Sequence, residues 1–269
     1  MVEGADASPH KRQAKTERDD DSLAISAARR PKRLKRGYAP PETYAHLNFL
    51  HDYLKEDLDV MFCGINPGYK SATEGYHYAH PTNHFWKCLH QSGMVPQYVP
   101  PSDDHNLPKS YNLGLTNLVE RPSAEAGELS NQEMKASVPQ LLAKIKEYHP
   151  RIVCFVGKGM WDIVESVIKR SSNPGSKIKR GSPRNKDAAK SKDAGLKLRP
   201  YKMVHEGDHL VIKETLFFVV PSTSARVISH QLPDKIKLFA DLRTCLTQVI
   251  ASQIDTTDML VVDVPAYTA

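Results

Sequence analysis

The sequence predicts an α/β fold in which helices cover both faces of a mainly parallel sheet. Three observations carry this. The run VMFCGI, between Asp59 and Asn66, is continuously apolar, as a strand buried on both faces must be. RIVCFVG from Arg151 and Leu216–Val220 read the same way. Segments with apolar residues at helical spacing separate these runs.

The elements follow in order. Residues 1–37 are polar, lack aromatics and run into the octet RRPKRLKR, so they are expected to be disordered. PETYAHLNFLHDYLKE from Pro41 opens with Pro and Glu and places Tyr44, Leu47, Leu50 and Leu54 on one face, which predicts a helix. After the first strand, NHFWKCLHQSG reads as a helix closed by Gly93, with Phe85 and Trp86 in the core and Lys87 solvated. YNLGLTNLV is a short strand. SNQEMKASVPQLLAKIKEYH is a helix with Ser130 as N-cap and Glu133 at capping-box spacing, kinked or divided at Pro139. RIVCFVGKG is the second buried strand, and MWDIVESVIKR a helix. Residues 171–200, rich in Lys, Ser, Gly and Pro, read as a flexible insertion. A hairpin about Gly207-Asp208 leads into the strand Leu216–Val220, which Pro221 ends. DKIKLFADLRTCLTQVIAS is the closing amphipathic helix, and 253–269 a C-terminal tail. The catalytic domain is thus expected to span 38–252.

No apolar run approaches a membrane span, and the charged N-terminus has no signal-peptide core, so neither membrane insertion nor secretion is expected. The four cysteines form no CxxC pair and are expected to be free, buried thiols in a reducing compartment. Charge is uneven. Of a net +6, residues 1–37 carry +4 and residues 169–202 carry +10, leaving −8 on the rest. Basic segments on an acidic body suit a polyanionic partner, and the octet could serve as a nuclear address or a sliding DNA contact.

Ligands of such sheets bind beyond the carboxyl ends of the strands. Three loops leave those ends: Asn66-Pro67-Gly68, Gly157-Lys158-Gly159 and Pro221–Arg226. No GxSxG elbow and no phosphate loop are present. His77, His80 and His84 lack the companions of a metal site, so no metal is expected. The sharpest polar group at the first strand end is an amide. Asn66 takes no proton near neutral pH, but its carbonyl oxygen can orient a water. A positioned water suffices only if the substrate is already inclined to break, as an N-glycosidic bond is once the base departs with its charge stabilised. As a bare local feature, Asn66 is equally a turn residue before proline.

GINPG at Gly64–Gly68, closely followed by HPTNHFWK at His80–Lys87, resembles the first signature of the mismatch-specific uracil/thymine DNA glycosylases. NLPKSYNLGLTNLVER at Asn106–Arg121 resembles their middle segment, and PSTSAR at Pro221–Arg226 their second signature. The match spans about residues 40–250 and leaves the tail and the insertion outside, where they resemble the variable basic extensions of eukaryotic and fungal members. The resemblance implies a three-layer α/β/α sandwich about a four-stranded, mainly parallel sheet. It implies flipping of the target nucleotide into a pocket. It implies monofunctional hydrolysis of uracil or thymine opposite guanine, leaving an abasic site for base excision repair. No cofactor is implied. The partners implied are duplex DNA with G·U or G·T mispairs and the abasic product, met by a monomer in the nucleus.

Carried over position by position, Asn66 matches the amide that holds the hydrolytic water. Gly64, Ile65, Pro67 and Gly68 match the pocket wall, with Tyr69, Ser71 and Ser123 beside it. Asn117 matches a residue that bonds the base edge, and His77 a histidine near the pocket, although a loop-capping His77 fits equally. Asn83 matches a residue beside the flipped nucleotide's phosphate. Ser222, Thr223, Ser224, Ala225 and Arg226 match the groove loop, with Arg226 filling the gap in the stack; Lys158 is grouped with these DNA contacts. Backbone N–H groups around Ile65 and Tyr69 are placed to stabilise the departing base. Ser71 stands where relatives often have alanine or lysine, and Ser123 where threonine is usual, so uracil is the safer substrate. Slow chemistry and tight product binding are expected. The competing reading is a non-catalytic lesion-binding protein on the same fold.

Overall fold

A computed structural model describes residues 37–171 and 192–263. The predicted tail, apart from Gly37, and most of the predicted insertion lie outside the described residues.

The chain builds a six-stranded sheet in the order β2-β1-β3-β5-β4-β6. β1 (Val60–Gly64) and β3 (Ile152–Val156) are buried at every position, and β5 (Glu214–Val220) at all but its first. β1 pairs in parallel with β2 (Leu113–Asn117) and with β3, and β3 with β5. These four are the parallel strands expected.

Helices flank both faces. On one, Phe62 packs against Phe85 of α2 (Phe85–Gln91) and Phe239 of α6 (Leu232–Ile250), at centroid distances of 5.2 and 6.0 Å. On the other, Phe155 meets Trp161 of α5 (Lys158–Ser171) at 5.0 Å, and α4 (Asn131–Tyr148) packs beside α5. Continuous apolar runs are therefore required: neither face of the central strands meets water. All four cysteines are buried and free, and burial pushes the thiols of Cys88 and Cys245 up to about 12 and about 11. No helix among the described residues is long and apolar enough to cross a membrane.

Four expectations need correction. The sheet has six strands rather than four, because β4 (Lys197–Val204) adds antiparallel to β5 and β6 (Leu260–Val261) adds parallel to β4. β4 begins inside the predicted insertion. Its charged residues disguise it: Lys197 pairs with Asp241, Arg199 with Glu165, and Tyr201 and Met203 alternate inward. The predicted C-terminal tail supplies β6, anchored where Val262 N–H donates to Lys202 O at 2.7 Å. The predicted helix from Pro41 is a single 3₁₀ turn, Pro41–Tyr44. Beyond it the chain lies along the outer edge of β2, where Tyr53 and Leu115 exchange two backbone hydrogen bonds of 2.9 Å. An open strand edge needs partners for its backbone, and this non-local demand overrides helical spacing. Gly114 permits the approach: a Cβ there would lie 2.4 Å from Leu58 Cδ1.

α4 is continuous through Pro139, because Val138, Leu141, Leu142 and Ile145 are buried beneath it. Its N-cap is as expected, with the Ser130 side chain accepting from Glu133 N–H. Two short helices, α1 (Tyr69–Glu74) and α3 (Leu107–Tyr111), follow no sequence signal identified above.

Candidate active site

The loops at the carboxyl ends of the parallel strands converge. After β2 the chain runs alongside the loop after β1: Leu118 N–H donates to Gly64 O at 2.8 Å, Val119 N–H to Ile65 O at 2.9 Å and Ser123 N–H to Pro67 O at 3.1 Å. Gly157, at φ +142°, sits between Ile65 and Ser222 after β3; this backbone conformation is open to glycine and strained for other residues.

This second ladder fixes Asn66. Its Nδ2 donates to the Arg121 carbonyl oxygen at 3.0 Å and to Ser123 Oγ at 2.9 Å. The Ser123 hydroxyl donates to the Glu125 carbonyl at 2.9 Å, so its oxygen is left to accept from Asn66. A backbone carbonyl only accepts, so the amide cannot be flipped. Oδ1 is left without a protein partner among the described residues. The clamp is itself braced: the Arg121 guanidinium pairs with Glu133 through Nε and, at 2.9 Å, Nη2, and Nη2 also donates to Ala39 O at 3.0 Å.

Gly64, two residues before this amide, is covered by side chains from two other segments. Gly64 and Asn117 are register partners in β1 and β2 and share one face of the sheet. A Cβ on Gly64 would lie 2.5 Å from Asn117 Oδ1 and 3.1 Å from the Tyr78 hydroxyl, so any larger residue must displace the Asn117 amide. The Tyr78 ring stacks on Phe85 at 4.0 Å, and its hydroxyl oxygen is buried without a hydrogen-bond partner. Buried hydroxyls are almost always satisfied; this one and Asn117 Oδ1 together fill the space that the missing Gly64 Cβ leaves. A cleft of about 210 Å³ adjoins the loop, lined by Pro67, Asn117 and Glu120 on one side and Phe49–Asp52 on the other.

The remaining pocket assignments divide. Pro67 lines the cleft, and Ile65 and Gly68 belong to the clamped loop, Gly68 capping α1. Tyr69 is exposed. Ser71 is buried, and its oxygen accepts from Ala79 N–H at 3.1 Å. His77 is buried with Nε2 2.9 Å from the His51 carbonyl, so it donates there, and its N–H donates to Asp104 Oδ2 at 2.7 Å. Burial lowers its pKa. His77 is thus a neutral brace that fixes the His51 wall of the cleft.

The groove loop is tied down from behind. The Thr223 side chain is buried, and its carbonyl accepts from His84 N–H at 2.9 Å. Ser222 Oγ accepts from Ser224 N–H (3.4 Å), and Ser224 Oγ from Arg226 N–H (3.3 Å). Ala225 and Arg226 are exposed, and Arg226 reaches Glu125 at 3.0 Å. Asn83 Oδ1 accepts from Phe85 N–H at 3.0 Å. Lys158, at the start of α5, pairs with Asp162 at 2.8 Å. Sequence reasoning missed the roles of Tyr78, Arg121 and Lys235; Tyr78 lies just before a quoted motif and Arg121 closes another, while nothing local marks Lys235.

Residues 51–243, well over half of the chain, match the family described as the uracil DNA glycosylase superfamily.

Proposed function

The chain belongs to the uracil DNA glycosylase superfamily of hydrolytic DNA glycosylases, and from that premise we propose that it acts on uracil, and more slowly on thymine, mispaired with guanine. The nucleotide is flipped into the space bounded by Gly64, Asn117 and Tyr78. As the glycosidic bond lengthens, Asn66 Oδ1 orients a water toward the sugar carbon. The water's oxygen bonds to that carbon, the base leaves with the bonding pair, the proton the water sheds passes through solvent to the released base anion, and an abasic site remains. Arg226 leaves Glu125 and fills the vacated stack. The reading is of a monofunctional, cofactor-free enzyme working as a monomer in the nucleus.

The observation that carries this reading is the amide of Asn66, clamped nitrogen-inward by Arg121 O and Ser123 Oγ. That arrangement leaves an acceptor oxygen of fixed direction just beyond the carboxyl end of β1, which suits water positioning rather than proton abstraction. The test is release of base from duplexes carrying G·U, G·T or A·U, read as alkali-labile scission. Wild-type protein should cleave G·U fastest, and Asn66→Ala should abolish release while retaining affinity for abasic duplex. Equal loss of both would make Asn66 structural; faster release from A·U than from G·U would overturn the mismatch preference.

A further inference from the structure

α6 carries Lys235, whose side chain is fully buried. Its Nζ lies 2.8 Å from the Ser224 carbonyl oxygen and 3.3 Å from His84 Nδ1. It forms no ion pair with any described residue. A cation sealed without a carboxylate is costly, and burial pulls its pKa down. Such a charge sits poorly in a core unless its field is used. It lies directly beneath the loop that carries Ser222, Ser224 and Arg226.

The contacts fix the donors on this surface. An ammonium has no acceptor, so His84 Nδ1 accepts and the ring proton stands on Nε2. Burial, with Lys235 and Lys87 nearby, keeps His84 below the usual histidine range and therefore neutral. Nε2–H has no protein acceptor among the described residues. Ser222 and Ser224 use their oxygens to accept backbone N–H groups, so their hydroxyl protons remain to donate. The His84 N–H to Thr223 O bond of 2.9 Å holds the two elements in register.

We propose that Lys235 is the positioning residue of a subsite for one DNA backbone phosphate, contacted by His84 Nε2–H and the Ser222 and Ser224 hydroxyls, with the sealed ammonium supplying the field behind them. The inference rests on the DNA-directed reading above and adds the residues and the chemistry of one contact to it.

The experiment measures binding of the full chain to a duplex with a tetrahydrofuran abasic site across a salt series, for wild type, Lys235→Met, His84→Leu and the double variant. Lys235→Met should weaken binding about tenfold and reduce the salt slope by roughly 0.9, the value of one phosphate. Its Tm should hold or rise, because apolar replacement of a buried charge removes a desolvation cost. His84→Leu should lose part of the same affinity, and the double variant no more than Lys235→Met alone. Nitrogen shifts of the His84 imidazole should report a bare Nδ1 in wild type and mixed tautomers in Lys235→Met. An unchanged salt slope in Lys235→Met, or a lowered Tm with unchanged affinity, overturns the inference. Should Lys235→Met not fold, an unchanged slope in His84→Leu overturns it. Wild type that binds with these slopes but releases no base from G·U would sink the glycosylase reading alone.

Discussion

Replacing Asn66 by aspartate exchanges one nitrogen for oxygen, removes its two protons and inverts the logic of its clamp. In the native loop Nδ2 donates to Arg121 O at 3.0 Å and to Ser123 Oγ at 2.9 Å. An ionised aspartate has nothing to donate. Ser123 can rotate its proton from Glu125 O toward the carboxylate, but the Arg121 carbonyl then faces a second acceptor. The carbonyl is held by the Arg121 guanidinium, which Glu133 and Ala39 O anchor, so it cannot swing away cheaply. Losing one hydrogen bond and opposing two acceptors should cost about 2 kcal/mol. For a domain of this size that is a fall in Tm of roughly 4–8 °C at alkaline pH. A protonated aspartic acid restores a donor toward Arg121 O, so the folded-state pKa of the new carboxyl is raised above its unfolded value. The folded protein then binds the extra proton, and the deficit grows as pH rises from the unfolded pKa through the folded one and shrinks as pH falls. Thermal unfolding of Asn66→Asp against wild type over a pH series, with a carbon-13 titration of the new carboxyl, tests both parts. A variant as stable as wild type at every pH, or a carboxyl with a depressed pKa, would refute the nitrogen-inward orientation.

Three further outcomes are expected. Gly64→Ala should displace the Asn117 side chain from a contact 2.5 Å away and slow base release by at least tenfold, about 1.4 kcal/mol, with only a small change in Tm; unimpaired release would show that the placement of the Asn117 amide does not serve the reaction. Tyr78→Phe removes a buried hydroxyl that bonds to nothing in the free protein, so Tm should hold or rise while base release slows; an unchanged rate would mean that the hydroxyl meets no substrate. His205 is buried, donates from Nε2 to Thr215 Oγ1 at 2.7 Å, and has its pKa lowered from 6.5 to about 4, first by burial and then by His149 and Lys146. Protonating it favours the unfolded chain, so stability should fall by about 3 kcal/mol as pH drops from 6.5 toward 4, and His205→Gln should flatten that fall in a thermal-unfolding profile.

What the sequence discloses here is what local physics determines. VMFCG, IVCFV and LFFVV read as doubly covered strands because an uninterrupted apolar run has few other uses, and the Ser130 cap reads correctly because its donor lies three residues on. The resemblance to known glycosylases names both Asn66 and Asn117, and the parallel register of β1 and β2 pairs Asn117 with Gly64, two residues before Asn66. The misread elements depend on partners distant in sequence. Tyr53 is extended because Leu115, across a strand edge, offers it two hydrogen bonds. Lys197 and Arg199 sit in a strand because Asp241 and Glu165 meet their charges. Lys235 is invisible for the same reason: within its helix it reads as one more basic residue, and only the fold seals it under Ser224.

The residues proposed to act on the substrate offer little to titrate, and the cleft carboxylates Asp52 and Glu120 are both paired with Lys144. His77 is neutral, buried and spent on His51 O, and Asn66 has no proton to take or give at neutral pH. On the proposed mechanism, catalysis comes from geometry, with one oxygen held in a fixed direction and a base held away from its stack. That explains why the bracing runs so deep, from Asn66 through Arg121 to Glu133 and Ala39, and from the groove loop through Thr223 and Ser224 to His84 and Lys235. A strong base tolerates small misplacement, because proton transfer supplies driving force of its own; a water aimed by an amide has only its aim. Substitutions that loosen these braces should therefore reduce the rate of base release more than they reduce stability, and a set in which rate simply tracks Tm would contradict a mechanism based on positioning.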